Sequence, residues 1–238
     1  VSLTDALLDP ILATNPARPL ITFYDDATGE RIELSAVTAA NWAAKAANLL
    51  RDECDLEPGG SVAVLLPAHW QTAAVLLAVW SCGAEVTADP DGADLVLCDA
   101  NRVDLALAAK ASGGVVALSM DAFGRGIDGL PAGVVDFATE VRLQPDAFVP
   151  WEPVTQAATA LDGRTVAEVL AEARDRVDAL GLAATDRVLS TREWTTLDGL
   201  RDGLLAVLAA GASLVQVAHP EDAALDRRYV AEKCSTRL

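Results

Sequence analysis

Five groups of residues in this chain have the types or spacing to do chemistry. Gly124-Arg125-Gly126-Ile127-Asp128-Gly129 fits G-x-G-x-x-G, the pattern that lets backbone approach a dinucleotide pyrophosphate. That motif works only where it closes a strand and opens a helix. Here Leu130-Pro131-Ala132-Gly133 follows and blocks a helix, so residues 123–133 are expected to form an irregular, flexible loop. Asp89, Asp91 and Asp94 bring calcium to mind, but Gly92 directly follows the second aspartate and the twelfth position is Ala100, so a turn with solvated carboxylates is expected. His69 precedes a helix and His219 a proline, and neither accompanies a Ser or Cys in a G-x-S-x-G setting, which makes both surface or capping residues. Glu168, Glu172 and Asp175 read as the wet face of a helix rather than a catalytic carboxylate pair. Cys54, Cys82, Cys98 and Cys234 contain no C-x-x-C pair and, with two histidines, no zinc spacing.

Charge and composition narrow the classes further. The net charge of −17 repels phosphate backbones, so nucleic acid is not an expected partner. The longest nearly uncharged apolar stretch, residues 73–84, is shorter than the ~20 residues a bilayer span needs, so no membrane segment is expected. No basic n-region followed by an apolar run opens the chain, and the thiols are unpaired in pattern; both suit a reducing compartment, and the expected location is cytoplasmic. Residue 1 is Val, from a non-standard start or a trimmed end.

The elements that must position these residues follow from punctuation and periodicity. Residues 1–18 read as a short helix ending near Asn15-Pro16, and 19–24 and 31–34 as strands of a hairpin around Asp25-Asp26-Ala27-Thr28-Gly29. Ser35 caps a helix to about Arg51, and Glu57-Pro58-Gly59-Gly60 turns into a buried strand at 62–66. An apolar helix at 70–82 ends at Gly83, and a strand starts at Glu85. Strands follow at 95–98, 115–118, 134–138 and 147–149, with a helix at 102–109. Residues 150–162 show no clear period. Thr165-x-x-Glu168 is a capping box opening an amphipathic helix to Leu180, on which Glu172 and Arg176 are spaced to pair. A strand at 187–190, a helix at 197–210 stopped by Gly211, a strand at 213–217 and a helix at 222–233 complete the chain. The order predicts an α/β fold with mainly parallel sheets.

A duplication runs through this pattern. The stretch from Leu56 to Val62 resembles that from Leu182 to Val188, an offset of 126 residues, and Ala78-Val79-Trp80-Ser81-Cys82-Gly83-Ala84 resembles Ala206-Val207-Leu208-Ala209-Ala210-Gly211-Ala212, an offset of 128. Two related α/β lobes are expected, residues 1–140 with the hairpin and residues 141–238.

These same residues carry a family likeness. LSAVTAANWAAKAANLL followed by LEPGGSVAVLLPAHWQTAAVLLAVWSCGAEV resembles the N-terminal region of acyl-adenylate-forming enzymes, the superfamily of acyl-CoA synthetases, nonribosomal adenylation domains and luciferases. Residues 165–217 resemble its next block. The resemblance implies the fold of the front part of that family's large domain, with the adenine and ribose motifs, the metal-binding motif and the mobile C-terminal domain beyond the sequence given. It also implies a triphosphate-binding loop, rich in Ser, Thr and Gly and ending in Pro-Lys-Gly, just before the helix that begins at Val166.

That slot holds Val154-Thr155-Gln156-Ala157-Ala158-Thr159-Ala160-Leu161-Asp162-Gly163-Arg164. It has one glycine and no lysine, and Asp162 puts a negative charge where polyphosphate would lie. No catalytic, cofactor or metal residues are therefore assigned. Thr155, Thr159 and Arg164, together with Thr191 and Trp194 from the block where the family lines its acyl pocket, are the candidate remnant pocket. The expected function is that of a truncated, catalytically inactive relative acting as a binding or interaction protein, with a protein or a second copy of the chain as partner. The alternative is a residual AMP or acyl ligand binder, or a half-enzyme completed by a partner chain.

Overall fold

The computed structural model describes residues 1–122 and 124–238; Phe123, the first residue of the glycine-rich loop, lies outside them. In chain order the elements are α1 (Leu3–Thr14), β1 (Pro19–Asp25), β2 (Glu30–Ser35), α2 (Ala36–Asp52), β3 (Ser61–Leu65), α3 (Trp70–Ser81), β4 (Glu85–Thr87), β5 (Leu95–Asp99), α4 (Val103–Ala109), β6 (Val115–Leu118), β7 (Val134–Asp136) and α5 (Phe137–Glu140). Then come β8 (Thr159–Leu161), β9 (Arg164–Thr165), α6 (Val166–Leu180), β10 (Arg187–Ser190), α7 (Leu197–Leu200), a π-helical segment (Arg201–Leu205), α8 (Ala206–Ala209), β11 (Ser213–Ala218), α9 (Asp222–Ala231) and β12 (Thr236–Arg237).

The chain divides into two compact units. One comprises Val1–Asp5, Asn41–Leu66 and Ala74–Val169, and the other Ala6–Ala40, Pro67–Ala73 and Leu170–Leu238. The first holds a seven-stranded sheet in the order β7-β6-β5-β3-β4-β8-β9, parallel except for the β8–β9 hairpin. The second holds a five-stranded sheet, β12-β10-β11-β1-β2, parallel except for the β1–β2 hairpin. Strands buried on both faces read as continuous apolar runs, which is why β5, β6 and β11 were legible. Val96, Cys98, Val103, Ala106, Val115 and Ala117 form one core cluster, and Leu189, Val215, Val217 and Cys234 another.

The duplication is present in three dimensions. Ser61 of β3 stands opposite Glu85 of β4, and Arg187 of β10 opposite Ser213 of β11, at the offsets of 126 and 128 residues seen in sequence. Both intervening helices end on a left-handed glycine, Gly83 (φ 74°) and Gly211 (φ 70°). In both, the next alanine donates its N–H to the carbonyl five residues back, Ala84 to Val79 at 3.2 Å and Ala212 to Val207 at 3.0 Å. This is the Schellman closure that a Cβ at φ near +70° would disfavour.

Three local expectations change. Residues 147–149 are not a strand: Asn48 and Arg51 of α2 donate to the Ala147 and Val149 carbonyls. The strand at Val134 stops at Asp136, because that carboxylate caps α5 through the Ala138 N–H at 3.1 Å. The stretch without period, 150–162, contains β8.

Candidate functional site

The slot before α6 is a β-hairpin. Thr159 of β8 pairs antiparallel with Thr165 of β9, and Leu161 with Arg164. The turn residues Asp162 and Gly163 have φ of 44° and 76°, the two positive values a two-residue type I′ turn needs. Asp-Gly is the strongest short signal for such a turn, and it was present in the sequence.

The polar backbone of this hairpin is already engaged. Ala158 N–H donates to the Thr155 carbonyl at 3.2 Å, Asp162 N–H to Val86 O at 3.0 Å, and Gly163 N–H to the Glu85 carboxylate. Val166 and Ala167 N–H groups return to Ala158 O and Gln156 O at 2.9 and 3.0 Å. Trp80 Nε1 donates to Ala160 O at 2.8 Å, deep in the core. The capping box forms as expected: Thr165 gives both its N–H and its hydroxyl to Glu168 at 2.8 Å, and Glu168 N–H returns to Thr165 Oγ1 at 3.3 Å. Hydrogen bonds from the Thr165 backbone and side chain hold the Glu168 carboxyl below its usual range. A carboxylate therefore stands at each place, the turn and the helix start, where backbone donors would otherwise face an anion. The segment does not fit a polyphosphate.

Thr155 is exposed, while Thr159 and Arg164 are half-buried on neighbouring rungs of the hairpin. Thr191 and Trp194 belong to the other unit, in the loop after β10. That loop is folded tightly. Arg192 N–H donates to Ser190 Oγ at 3.1 Å, and Gln216 Nε2 to the Arg192 carbonyl at 3.1 Å. Trp194 is buried against the π-helical segment, where a Cβ on Gly203 would lie 2.9 Å from Trp194 Nε1. Thr191 is half-buried. In the same π-helical segment, Asp202 is buried under Arg176, which grips it at 2.8 and 3.1 Å, with Arg201 at 3.5 Å and Arg192 at 3.8 Å. Burial alone would raise the Asp202 carboxyl, but Arg176 outweighs it, with help from Arg192 and Arg201, and keeps the group ionised.

The remaining sequence motifs resolve into packing. Gly126 of the G-x-G-x-x-G stretch admits the Asp136 carboxylate, which a Cβ would meet at 2.4 Å, and Ile127 N–H bonds that carboxylate at 3.0 Å. Asp94 accepts the Ser61 N–H at 2.8 Å, and Asp89 accepts that of Asp91 at 3.0 Å. His69 caps α3, its Nδ1 accepting Gln71 N–H at 3.1 Å; it is buried, not on the surface. Among the described residues no group of three His, Cys, Asp or Glu is placed to hold a metal, and no helix is long and apolar enough to cross a membrane.

No protein-family model matches the chain. A Mycobacterium tuberculosis protein described as "TIGR03089 family protein" is 54% identical over 241 residues, covering 100% of this chain and 98% of that protein. The chain belongs to the TIGR03089 family. Three solved structures share its fold. Brucella canis acyl-CoA synthetase matches 100% of this chain with a TM-score of 0.81 at 18% identity. The anthranilate CoA ligase AuaEII, in complex with anthranoyl-AMP, matches 90% with a TM-score of 0.71 at 15% identity. MatB from Rhodopseudomonas palustris, in its apo form, matches 90% with a TM-score of 0.69 at 18% identity. At these identities the likeness is one of fold. This member of the TIGR03089 family spans 44–47% of the length of those three chains.

Proposed function

We propose that this protein keeps the fold of acyl-adenylate-forming enzymes without their ATP chemistry and acts by binding another protein. The observation that supports the reading is the closed hairpin at residues 154–165. A phosphate cradle works because several backbone N–H groups stay free to converge on one anion and a lysine adds charge. Here the N–H groups of Ala158, Asp162, Gly163, Thr165, Val166 and Ala167 are bonded within the fold. Two of these bonds go to the carboxylates Glu85 and Glu168. A triphosphate would have to displace both while meeting their charge. Each charge-assisted contact forgone is worth about 1.5–3 kcal/mol, so several together remove useful affinity.

The test is ATP–pyrophosphate exchange over a panel of aliphatic and aromatic carboxylic acids. The expected result is no acid-dependent exchange. Exchange that rises with any one acid would overturn the reading.

A further inference from the structure

Histidine is not among the preferred helix caps, and it accepts a bond at a ring nitrogen only while that nitrogen is unprotonated. His69 caps α3 in this way, its Nδ1 accepting the Gln71 N–H at 3.1 Å. The bond occupies the Nδ1 lone pair. The neutral ring therefore carries its proton on Nε2, and neither nitrogen is left to ligate a metal.

Nε2 faces Glu30, at the start of β2. It stands 3.7 Å from Glu30 Oε1, and the two side chains are 4% and 7% exposed. Both atoms are closed to solvent, and neither has a hydrogen-bond partner in the protein. Buried polar atoms held just beyond hydrogen-bond length call for a physical reason. The other neighbours of the ring are aromatic. Phe23 of β1 meets the imidazole edge-on at 4.3 Å, and the Trp70 ring lies at 5.6 Å. Among the described residues, Glu30 is the charged group within 4 Å of the imidazole nitrogens.

We propose that His69 and Glu30 form an acid-sensitive latch on the first turn of α3. With the ring neutral, the cap is made and the Glu30 contact stays loose. A proton taken up at Nδ1 turns that nitrogen into a donor facing the Gln71 N–H, which is also a donor, so the cap opens. The same proton puts a full charge beside a buried carboxylate and draws Nε2–H and Glu30 together as a charge-assisted bond. One ring thus serves two exclusive arrangements, and pH selects between them over the range in which histidine changes charge. The opening is local. Thr72 Oγ1 donates to Pro67 O at 2.7 Å and Ala73 N–H to His69 O at 3.0 Å, and neither bond titrates. The group that loses its bond is the Gln71 N–H.

The full chain, with isotope-labelled histidine, is followed by NMR from about pH 8 to about pH 5. Amide exchange is measured at Gln71 and at Val215 in the sheet core, each corrected for the intrinsic pH dependence of exchange. His219, the other histidine, is 69% exposed and serves as the reference ring. The expected result is an Nε2–H tautomer for His69 at the upper pH. On acidification, Gln71 should lose at least about tenfold more protection than Val215. His69→Asn keeps a cap acceptor that takes up no proton, and should hold Gln71 protection level across the range. Glu30→Gln removes the carboxylate that favours the charged ring, and should move the Gln71 change to lower pH by at least about half a pH unit. Circular dichroism checks the fold of both variants. An Nδ1–H tautomer, unchanged Gln71 protection in the parent, the same acid loss in His69→Asn, or an unmoved midpoint in Glu30→Gln would each overturn the proposal. The tautomer and the parent's profile are read without any substitution, so a variant that fails to fold leaves the test intact.

Discussion

The carboxylate of Glu85, at the start of β4, accepts the backbone N–H of Gly163 in the β8–β9 turn. The bond ties the edge hairpin to the sheet that β4 shares with β3. It also places a fixed negative charge at the turn. Glu85→Ala should leave the Gly163 donor to solvent and loosen the hairpin, lowering stability by about 1 kcal/mol, whereas Glu85→Gln keeps an acceptor and should lose less. Urea unfolding and amide exchange at Gly163 measure both. Equal loss in the two variants would show that the bond contributes nothing specific.

Trp80 and Ala160 supply a second, buried tie. Trp80→Phe keeps the ring but removes the donor at 2.8 Å, leaving the Ala160 carbonyl without that partner in a buried setting. The expected loss is about 1–3 kcal/mol. Chemical denaturation checks it, and an unchanged midpoint would argue that the hairpin does not depend on this bond.

Glu232 should mark the acid limit of the second unit. Burial alone would raise its carboxyl, but hydrogen bonds from Tyr24 at 2.5 Å, Arg187 at 2.5 Å and Arg31 at 3.0 Å outweigh it and hold it down to about 2, from an ordinary 4.5. A carboxyl depressed on folding contributes stability that is complete above its unfolded value. That contribution is lost as pH falls from 4.5 through 2. Glu232→Gln should therefore remove on the order of 2 kcal/mol at pH 7 and much less at pH 2, the exposed side of Arg31 being screened by solvent. Denaturation curves at both pH values check it, and a pH-independent loss would assign the effect to packing.

The four cysteines should be inert in the native state. Burial pushes the Cys54 and Cys82 thiols up to about 12 and those of Cys98 and Cys234 to about 11. Thiolate is the reactive form, so a disulfide-exchange reagent at pH 8 should label the folded chain far more slowly than the unfolded chain. Rapid labelling of any one thiol without denaturant would contradict its burial.

Gly199 sits where its helix meets the loop after β10. A Cβ there would fall 1.9 Å from the Glu193 carbonyl oxygen, which is backbone and cannot swing away. Gly199→Ala should cost about 1–3 kcal/mol and move Trp194 toward solvent, read as a melting shift together with a red shift in tryptophan emission. Stability and emission like the parent's would mean the loop is not seated as described.

The sequence by itself determined much of the order of elements. Apolar runs such as 95–98 and 115–118 made buried strands, Gly83 and Gly211 closed their helices, and Thr165 with Glu168 opened α6. These are local effects, in which backbone sterics and near-neighbour hydrogen bonds act within a few residues. The missing lysine and glycines of the 154–164 slot were equally plain. Tertiary structure alone decided what fills that slot. Nothing in the spacing of Glu85, Trp80 and Val86 says that they will meet residues 160–163, because those partners are brought together by sheet order across more than seventy positions. Residues 147–149 differ from their sequence pattern for the same reason: their composition is strand-like, but Asn48 and Arg51, about a hundred positions away, donate to their carbonyls. Local chemistry sets which elements can form, and long-range pairing sets which polar groups remain free to act.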